Sequence, residues 1–351
     1  MTILLFILGL AFLIIGAEIL VRGASKIASG LGISPLIIGL TVVAFGTSSP
    51  ELAVSIKSTI TGQADIALGN VLGSNMFNIL FILGLSSIIT PLFVSKQLIR
   101  FDVPIMIFLS IGVLLISLDQ LISGFDGWML VIGLVAYIGI LTYFSLRDKS
   151  QTENKQSETT PEKVKWVLNS TYVAVGLILL IFGSRWLVNS AVTFAENLGI
   201  SELIIGLTIV AAGTSMPEVV TSIIAAIRGE RDIAVGNVVG SNIFNILGVL
   251  GISSVLAPAG IFVSEVAIGL EIPLLIAVSV ACLPIFFTGG TINRWEGALF
   301  LGYYIAYTTY LILNATQHEL LSAFSTILFY FVVPITIITI AVIFFQEFKK
   351  K

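Results

Sequence analysis

The sequence predicts an all-α membrane protein of about 11 transmembrane helices, built as two inverted five-helix repeats and one further C-terminal helix. Three observations predict it. Of 351 residues, 57% are hydrophobic and only 11% charged, which leaves too little polar surface for a chain folded in water. Apolar runs of the length a bilayer requires, about 20 residues, recur from the first residues almost to the last. The chain also matches itself at an offset of 167 residues, where Ile37–Gly84 aligns without a gap on Ile204–Gly251 with 31 identities in 48 positions.

The apolar cores lie at Ile3–Val21, Pro35–Ile60, Ile66–Thr90, Val103–Leu118, Trp128–Leu146, Trp166–Ala191, Glu202–Ile227, Ile233–Ala257, Val266–Phe287, Trp295–Leu313 and Ser322–Phe345. They are long and continuously apolar, whereas the strands of a membrane barrel alternate over about 10 residues. The first core is kept as a helix rather than a cleavable signal segment, because a counterpart precedes the second repeat. Orientation follows the basic residues, which stay cytoplasmic in short loops. With the N-terminus outside and the C-terminus inside, only Lys57 and Arg185 of the 17 Lys and Arg residues fall on the outer side. The chain is thus expected in the plasma membrane, or the inner membrane of a prokaryote, as a multi-pass protein whose partner is the lipid bilayer. No nucleic-acid partner is expected.

Five spans per unit oblige the second copy to enter the membrane from the opposite side, which gives an inverted repeat. Outside the strongest block the match continues, with Gly16 opposite Gly183 and Pro104 opposite Pro273. Residues 1–146 form the first repeat and 166–314 the second. Between them, 147–165 is rich in Lys, Glu, Gln, Ser and Thr and reads as a flexible cytoplasmic linker. Residues 315–351 add the last helix and a basic tail.

The chemistry sits in the repeated block. Gly46-Thr47-Ser48-Ser49-Pro50-Glu51 recurs as Gly213-Thr214-Ser215-Met216-Pro217-Glu218. A proline inside an apolar helix removes a donor and crowds the carbonyl four residues back. Irregular backbone at membrane depth is tolerated only where it is buried in protein or lines a polar cavity. The freed carbonyls around Ala44 and Ala211, the hydroxyls of Thr47, Ser48, Thr214 and Ser215, and the carboxylates of Glu51 and Glu218 are therefore expected together. In the next helix of each half, Ser74 and Asn78, and Ser241 and Asn245, are four apart and share a face. Gly69 and Gly73, with Gly236 and Gly240, have the spacing that lets helix backbones approach.

All these donors are oxygens, which suit a hard cation; Ca²⁺ takes about 6–8 of them. One cysteine, Cys282, and one histidine, His318, exclude a disulfide and a soft-metal site. A lone intramembrane Glu can be protonated and merely pack helices. Its recurrence in register with Pro, Thr and Asn is something packing does not require. Ser74 and Ser241 could instead bond their own helix backbone. Glu18 and Arg185 read as interfacial anchors, Asp65 and Asp232 as acidic N-caps, and Asp102, Asp126, Glu271 and Glu296 as boundary residues.

At the paired Gly-Thr-Ser-x-Pro-Glu and Gly-Asn-x-x-Gly-Ser-Asn-x-x-Asn motifs, Gly46–Glu51 with Gly69–Asn78 and Gly213–Glu218 with Gly236–Asn245, the chain resembles the calcium/cation antiporter superfamily. It is closest to the sodium/calcium exchanger branch. The resemblance covers the ten-helix repeat but neither the linker nor the last helix. It implies Glu51 and Glu218 as central ligands, joined by Thr47, Ser48, Ser74 and the Ala44 carbonyl, by Thr214, Ser215, Ser241 and the Ala211 carbonyl, and by Asn78 and Asn245. Some members, including potassium-dependent ones, carry Asp where this chain has Asn245, which disfavours a potassium requirement. The implied activity is antiport of Na⁺ against Ca²⁺ by alternating access, three Na⁺ for one Ca²⁺, with the ions as cargo and no cofactor. Proton-coupled exchange is the near alternative; an intramembrane enzyme or a passive channel are further ones.

Overall fold

In the computed structural model, residues 2–153, 165–200, 202–205, 208–209, 211–287, 289–338 and 341 are described, and almost all of them are helical. The first half holds α1 (Thr2–Leu31), α2 (Pro35–Thr47), α3 (Ser49–Ile60), α4 (Asp65–Ile89), α5 (Leu98–Ile116) and α6 (Gly124–Glu153). The second holds α7 (Trp166–Asn197), α8 (Glu202–Ile205), α9 (Ala211–Gly213), α10 (Met216–Ile227), α11 (Arg231–Leu256), α12 (Ala267–Phe287) and α13 (Arg294–Ala315). A last helix, α14 (Leu321–Ile338), lies against α13, where the Tyr303 hydroxyl donates to Thr336 Oγ1 at 2.7 Å. The most buried spans are α4 and α11, which carry the Gly-Asn motif; α6, α13 and α14 are the least buried.

Among the described residues, nine helices are long and apolar enough to cross a membrane, and the bent pair α2–α3 makes a tenth. Short strand pairs at the helix ends bear on the eleventh. β1 (Leu92–Phe93), after α4, pairs antiparallel with β4 (Thr291–Ile292), after α12. β2 (Leu121–Ile122), after α5, pairs with β3 (Ile261–Phe262), after α11. Paired strands lie on one side of the membrane, so an even number of crossings must separate them. Leaving out the segment 202–227 makes that number odd for both pairs, so the described helices α7 and α11 need an odd number of crossings between them, in keeping with about eleven spans.

The halves run opposite ways. α1 and α7 occupy equivalent places in the two repeats, and they pack through glycines: a Cβ on Gly9 would meet the Gly183 carbonyl, one on Gly16 the Gly176 carbonyl, and one on Gly23 the Asn169 carbonyl. As one helix ascends the other descends, so they are antiparallel. The two-fold that exchanges equivalent antiparallel helices lies across them, which is the geometry of an inverted repeat. The strand pairs obey it too, each first-half strand pairing with the non-equivalent strand of the other half.

Several expectations change. α6 continues to Glu153, since polar residues can carry a helix past the bilayer; the rest of the linker, 154–164, and most of the basic tail lie outside the described residues. Asp65 and Asp232 are not N-caps: Ala64 and Glu230 hold those positions without a side-chain bond, and the acids sit in the first turn, where the helix dipole favours them. Glu18 is not a lipid-interface anchor but pairs with Arg22 at 2.6 Å and with Arg228 of the other half. Asp102 is buried, accepting from Tyr137 Oη at 2.9 Å and Gln97 Nε2 at 3.2 Å. The close-approach role expected of four glycines is seen at Gly236 and Gly240, where an added Cβ would meet the Leu36 carbonyl and the Cα of Leu40; the stretch that the repeat sets opposite Gly69 and Gly73 falls largely outside the described residues.

Candidate functional site

Proline breaks the second span of each half. α2 ends at Thr47, α3 begins at Ser49 with Pro50 in its first turn, and the two are bent by 43°. Pro217 likewise stands in the first turn of α10. Each break places a carboxylate, Glu51 or Glu218, in the first turn of the half-helix that follows, where the dipole favours negative charge. The carbonyl orphaned by each proline is taken by a hydroxyl: Ser49 Oγ donates to Gly46 O at 2.8 Å, and Ser184 Oγ of α7 donates to Gly213 O at 2.7 Å. Those two carbonyls are thus spoken for. The Ala44 carbonyl is not freed as expected: it keeps its helical bond from the Ser48 N–H at 3.0 Å, which leaves it one lone pair. Ala211 opens α9.

The two acids are 1% exposed and are joined across the halves. Ser215 Oγ donates to Glu51 Oε1 at 2.8 Å, and Ser48 Oγ donates to Glu218 Oε1 at 2.9 Å. Their backbones are pinned by the buried motif amides: Asn70 Nδ2 donates to the Glu51 carbonyl at 3.1 Å and Ser55 Oγ at 2.9 Å. Asn237 Nδ2 does the same to the Glu218 carbonyl at 3.4 Å and Ser222 Oγ at 3.0 Å. Thr47 Oγ1 donates to Asn237 Oδ1 at 3.0 Å.

The second carboxylate oxygens are another matter. Glu51 Oε2, Glu218 Oε2, Ser74 Oγ, Ser241 Oγ, Asn78 Oδ1, Asn245 Oδ1 and Thr214 Oγ1 are all buried without a hydrogen-bond partner. Each unsatisfied buried polar atom costs about 1–3 kcal/mol, and native proteins hold few of them. Of the 13 such atoms among the described residues, these seven fall on the positions the motifs single out. Neither Ser74 nor Ser241 bonds its own helix, unlike Ser87 Oγ, which donates to Gly84 O at 3.0 Å. A hard cation is what such a set of bare oxygens accepts. π-helical turns begin beside it, at Phe77–Leu83 and Asn245–Leu250, a distortion frequent at functional sites.

Of the predicted site residues, Glu51, Glu218, Ser74, Ser241, Asn78, Asn245 and Thr214 carry these partnerless oxygens, Ser48 and Ser215 bond the two carboxylates, and Thr47 bonds Asn237. The sequence reading passed over Ser49 and Ser184, which satisfy the proline-freed carbonyls, and Asn70, Asn237, Asn75 and Asn242, which bond the site's members. The four asparagines recur in register between the halves, so the repeat carried their signal. Ser184 has no such mark, because its counterpart is Ala17.

A family model described as sodium/calcium exchanger protein matches residues 1–145 and 169–313. The chain belongs to this family. Membership in the sodium/calcium exchanger family makes it a transporter and not an enzyme. Among family members, sodium/calcium exchanger MaX1 of Methanosarcina acetivorans is 32% identical over 339 residues, 87% of this chain and 96% of that protein. The CaxA protein of Alkalimonas amylolytica is 38% identical over 307 residues, 86% of this chain and 95% of its own length. The solved structure of the sodium-calcium exchanger NCX_Mj, soaked with Na⁺ and Ca²⁺, matches with a TM-score of 0.74 at 32% identity over 87% of this chain and 96% of that one.

Proposed function

We propose that this exchanger moves Ca²⁺ against Na⁺ across the membrane by alternating access, both ions using the cluster centred on Glu51 and Glu218. The observation that carries the reading is the set of seven partnerless buried oxygens, two of them on the carboxylates of Glu51 and Glu218. Two negative charges inside a membrane cost roughly 2.5–3.5 kcal/mol each even on the lower insertion scale, and one divalent cation, or several Na⁺, offsets both. The ligands are the side chains of Glu51, Thr47, Ser48, Ser74 and Asn78 and of Glu218, Thr214, Ser215, Ser241 and Asn245, with the Ala44 and Ala211 carbonyls. Because the two ions share oxygens, one leaves before the other is bound, and this obliges exchange rather than leak.

The test is transport in proteoliposomes with Na⁺, K⁺ and pH varied separately. An outward Na⁺ gradient should drive Ca²⁺ uptake, with K⁺ inert. Uptake indifferent to Na⁺ but driven by a pH gradient would replace the coupling with proton exchange, since carboxylates also carry protons. The repeats 1–146 and 166–314 act as the two halves, with the N-terminus outside and the C-terminus in the cytoplasm. In intact cells a membrane-impermeant thiol reagent should spare a cysteine placed at Lys351. Cys282 is buried and does not interfere.

A further inference from the structure

Bonded to the two amides that carry partnerless oxygens is a second tier of asparagines. Asn75 and Asn242 are each 1% exposed and follow Ser74 and Ser241 directly in the chain. Asn75 Nδ2 donates to the backbone carbonyl of Asn242 at 3.2 Å, and Asn242 Nδ2 donates to the backbone carbonyl of Asn75 at 3.4 Å. Beyond them, Asn245 Nδ2 donates to Asn75 Oδ1 at 3.0 Å, and Asn78 Nδ2 donates to Asn242 Oδ1 at 2.9 Å.

The orientation of an amide is decided by what surrounds it, and here it propagates from a fixed starting point. A backbone carbonyl only accepts, so the NH₂ of Asn75 must face the Asn242 carbonyl. Its oxygen is then turned toward Asn245, which must answer with its own NH₂. That leaves Asn245 Oδ1 pointing away from Asn75, buried and without a partner. The same steps run in the opposite direction from Asn242 through Asn78 to Asn78 Oδ1. Rotating any one amide would set oxygen against oxygen in a buried, low-dielectric place.

We infer that Asn75 and Asn242 are positioning residues: each, working across the interface of the halves, holds the amide of Asn245 or Asn78 with its oxygen toward the transported cation and its NH₂ away. The inference rests on the cation-site reading above. A hydroxyl can turn its hydrogen aside while its oxygen stays in place, but an amide turned over presents NH₂ where its oxygen stood, so it alone among these ligands requires such a device. Reciprocity makes the orientation a property of the joined halves and not of either one.

The experiment is a double-substitution cycle read by equilibrium cation binding and by transport in the full-length protein. Removing the acceptor in Asn75→Ala frees the Asn245 amide to turn. The half-saturating concentration of the cation that the wild type binds should rise about tenfold, with the maximal transport rate nearly unchanged. A carboxylate offers oxygen on both sides and needs no orienting. In the Asn245→Asp background the same Asn75→Ala change should therefore cost little or even help, since it removes an oxygen facing a carboxylate. The pair Asn242→Ala and Asn78→Asp repeats the test in the other half, in case one variant does not fold. Equal losses in both backgrounds, for either pair, would show that Asn75 and Asn242 only glue the halves together and would overturn the inference while leaving the site in place. A wild type that binds none of Na⁺, Ca²⁺ or Sr²⁺ overturns the function itself and this inference with it.

Discussion

The two halves share one Gly-x-x-x-Gly face, and in the second half it is closed: a Cβ on Gly240 would stand 2.7 Å from the Cα of Leu40, and one on Gly236 would stand 3.0 Å from the Leu36 carbonyl. The residues that the repeat sets opposite Gly69 and Gly73, in the stretch 203–211, fall largely outside the described residues. The threonines carry the comparison instead: Thr47 bonds Asn237, while Thr214 has no partner. Residues this alike cannot by themselves dictate two different arrangements. Unequal use of equal parts is the kind of packing on which a conformational switch depends.

The largest expected effect tests whether the halves remain equal where they carry charge. Glu51→Gln and Glu218→Gln should each abolish exchange, or nearly so, in protein that still folds, because each removes one of the two charges that a divalent cation offsets. Proteoliposome flux measured beside thermal unfolding separates the two outcomes. Near-normal transport by either variant would mean the cation sits elsewhere.

The glycine faces give the next effect. Gly240→Val drives a side chain into the backbone of α2, which cannot yield as a flexible side chain would, and overpacking of this kind costs about 1–3 kcal/mol or more. Gly73→Val, at the equivalent position of the first half, should also transport poorly, because the repeat gives α4 the same kind of partner as α11. A Gly73→Val protein with normal flux would mean that the face of α4 never closes.

How much of this was legible beforehand follows the same division. The spans, the repeat and the candidate ligands were readable because they depend on periodicity and on residue type: Glu51 and Glu218 announce themselves as acids in apolar helices. The unequal bonding of Thr47 and Thr214 was not readable, because identical residues carry no information about which partner approaches them. The broken span was foreseen from Pro50, but not the fate of its orphaned carbonyl, since satisfying Gly213 depends on Ser184, which is distant in the chain and close only once α7 has packed. Glu18 was misread for the same reason, its partner Arg228 lying 210 residues away.

The orphaned carbonyls offer a smaller and more selective comparison. In the first half Ser49 is present and position 17 is Ala; in the second, position 216 is Met and Ser184 is present. Each half supplies one hydroxyl, from a different element. Ser184→Ala should leave Gly213 O buried without its donor and cost about 1–3 kcal/mol, read as a lowered melting temperature in detergent. Adding Met216→Ser recreates the first-half arrangement and should restore much of the loss. A second substitution without effect would show that the Gly213 carbonyl has another donor.

The smallest effect lies where the halves differ in charge. Arg228 Nε donates to Glu18 Oε2 at 2.8 Å and its Nη2 pairs with Oε1, while Ser25 Oγ donates to Glu230 Oε1 at 2.5 Å. Both contacts tie α1 to the turn between α10 and α11. The equivalent positions in the other half are Arg185 with Thr61 and Val192 with Gln63, which can form no such ion pair. The fork geometry of Arg228 on Glu18 is favourable, but the Arg228 side chain is 49% exposed, and ion pairs open to water contribute about 0.2–1 kcal/mol. Glu18→Gln should therefore lower stability by no more than that. The difference from wild type should shrink as ionic strength rises, provided the salt is choline chloride, which raises ionic strength without supplying Na⁺ to the candidate site. A loss that persists unchanged at high choline chloride would mark Glu18 as held by packing and hydrogen bonding rather than by charge, and the asymmetry of the two seams would then be one of shape.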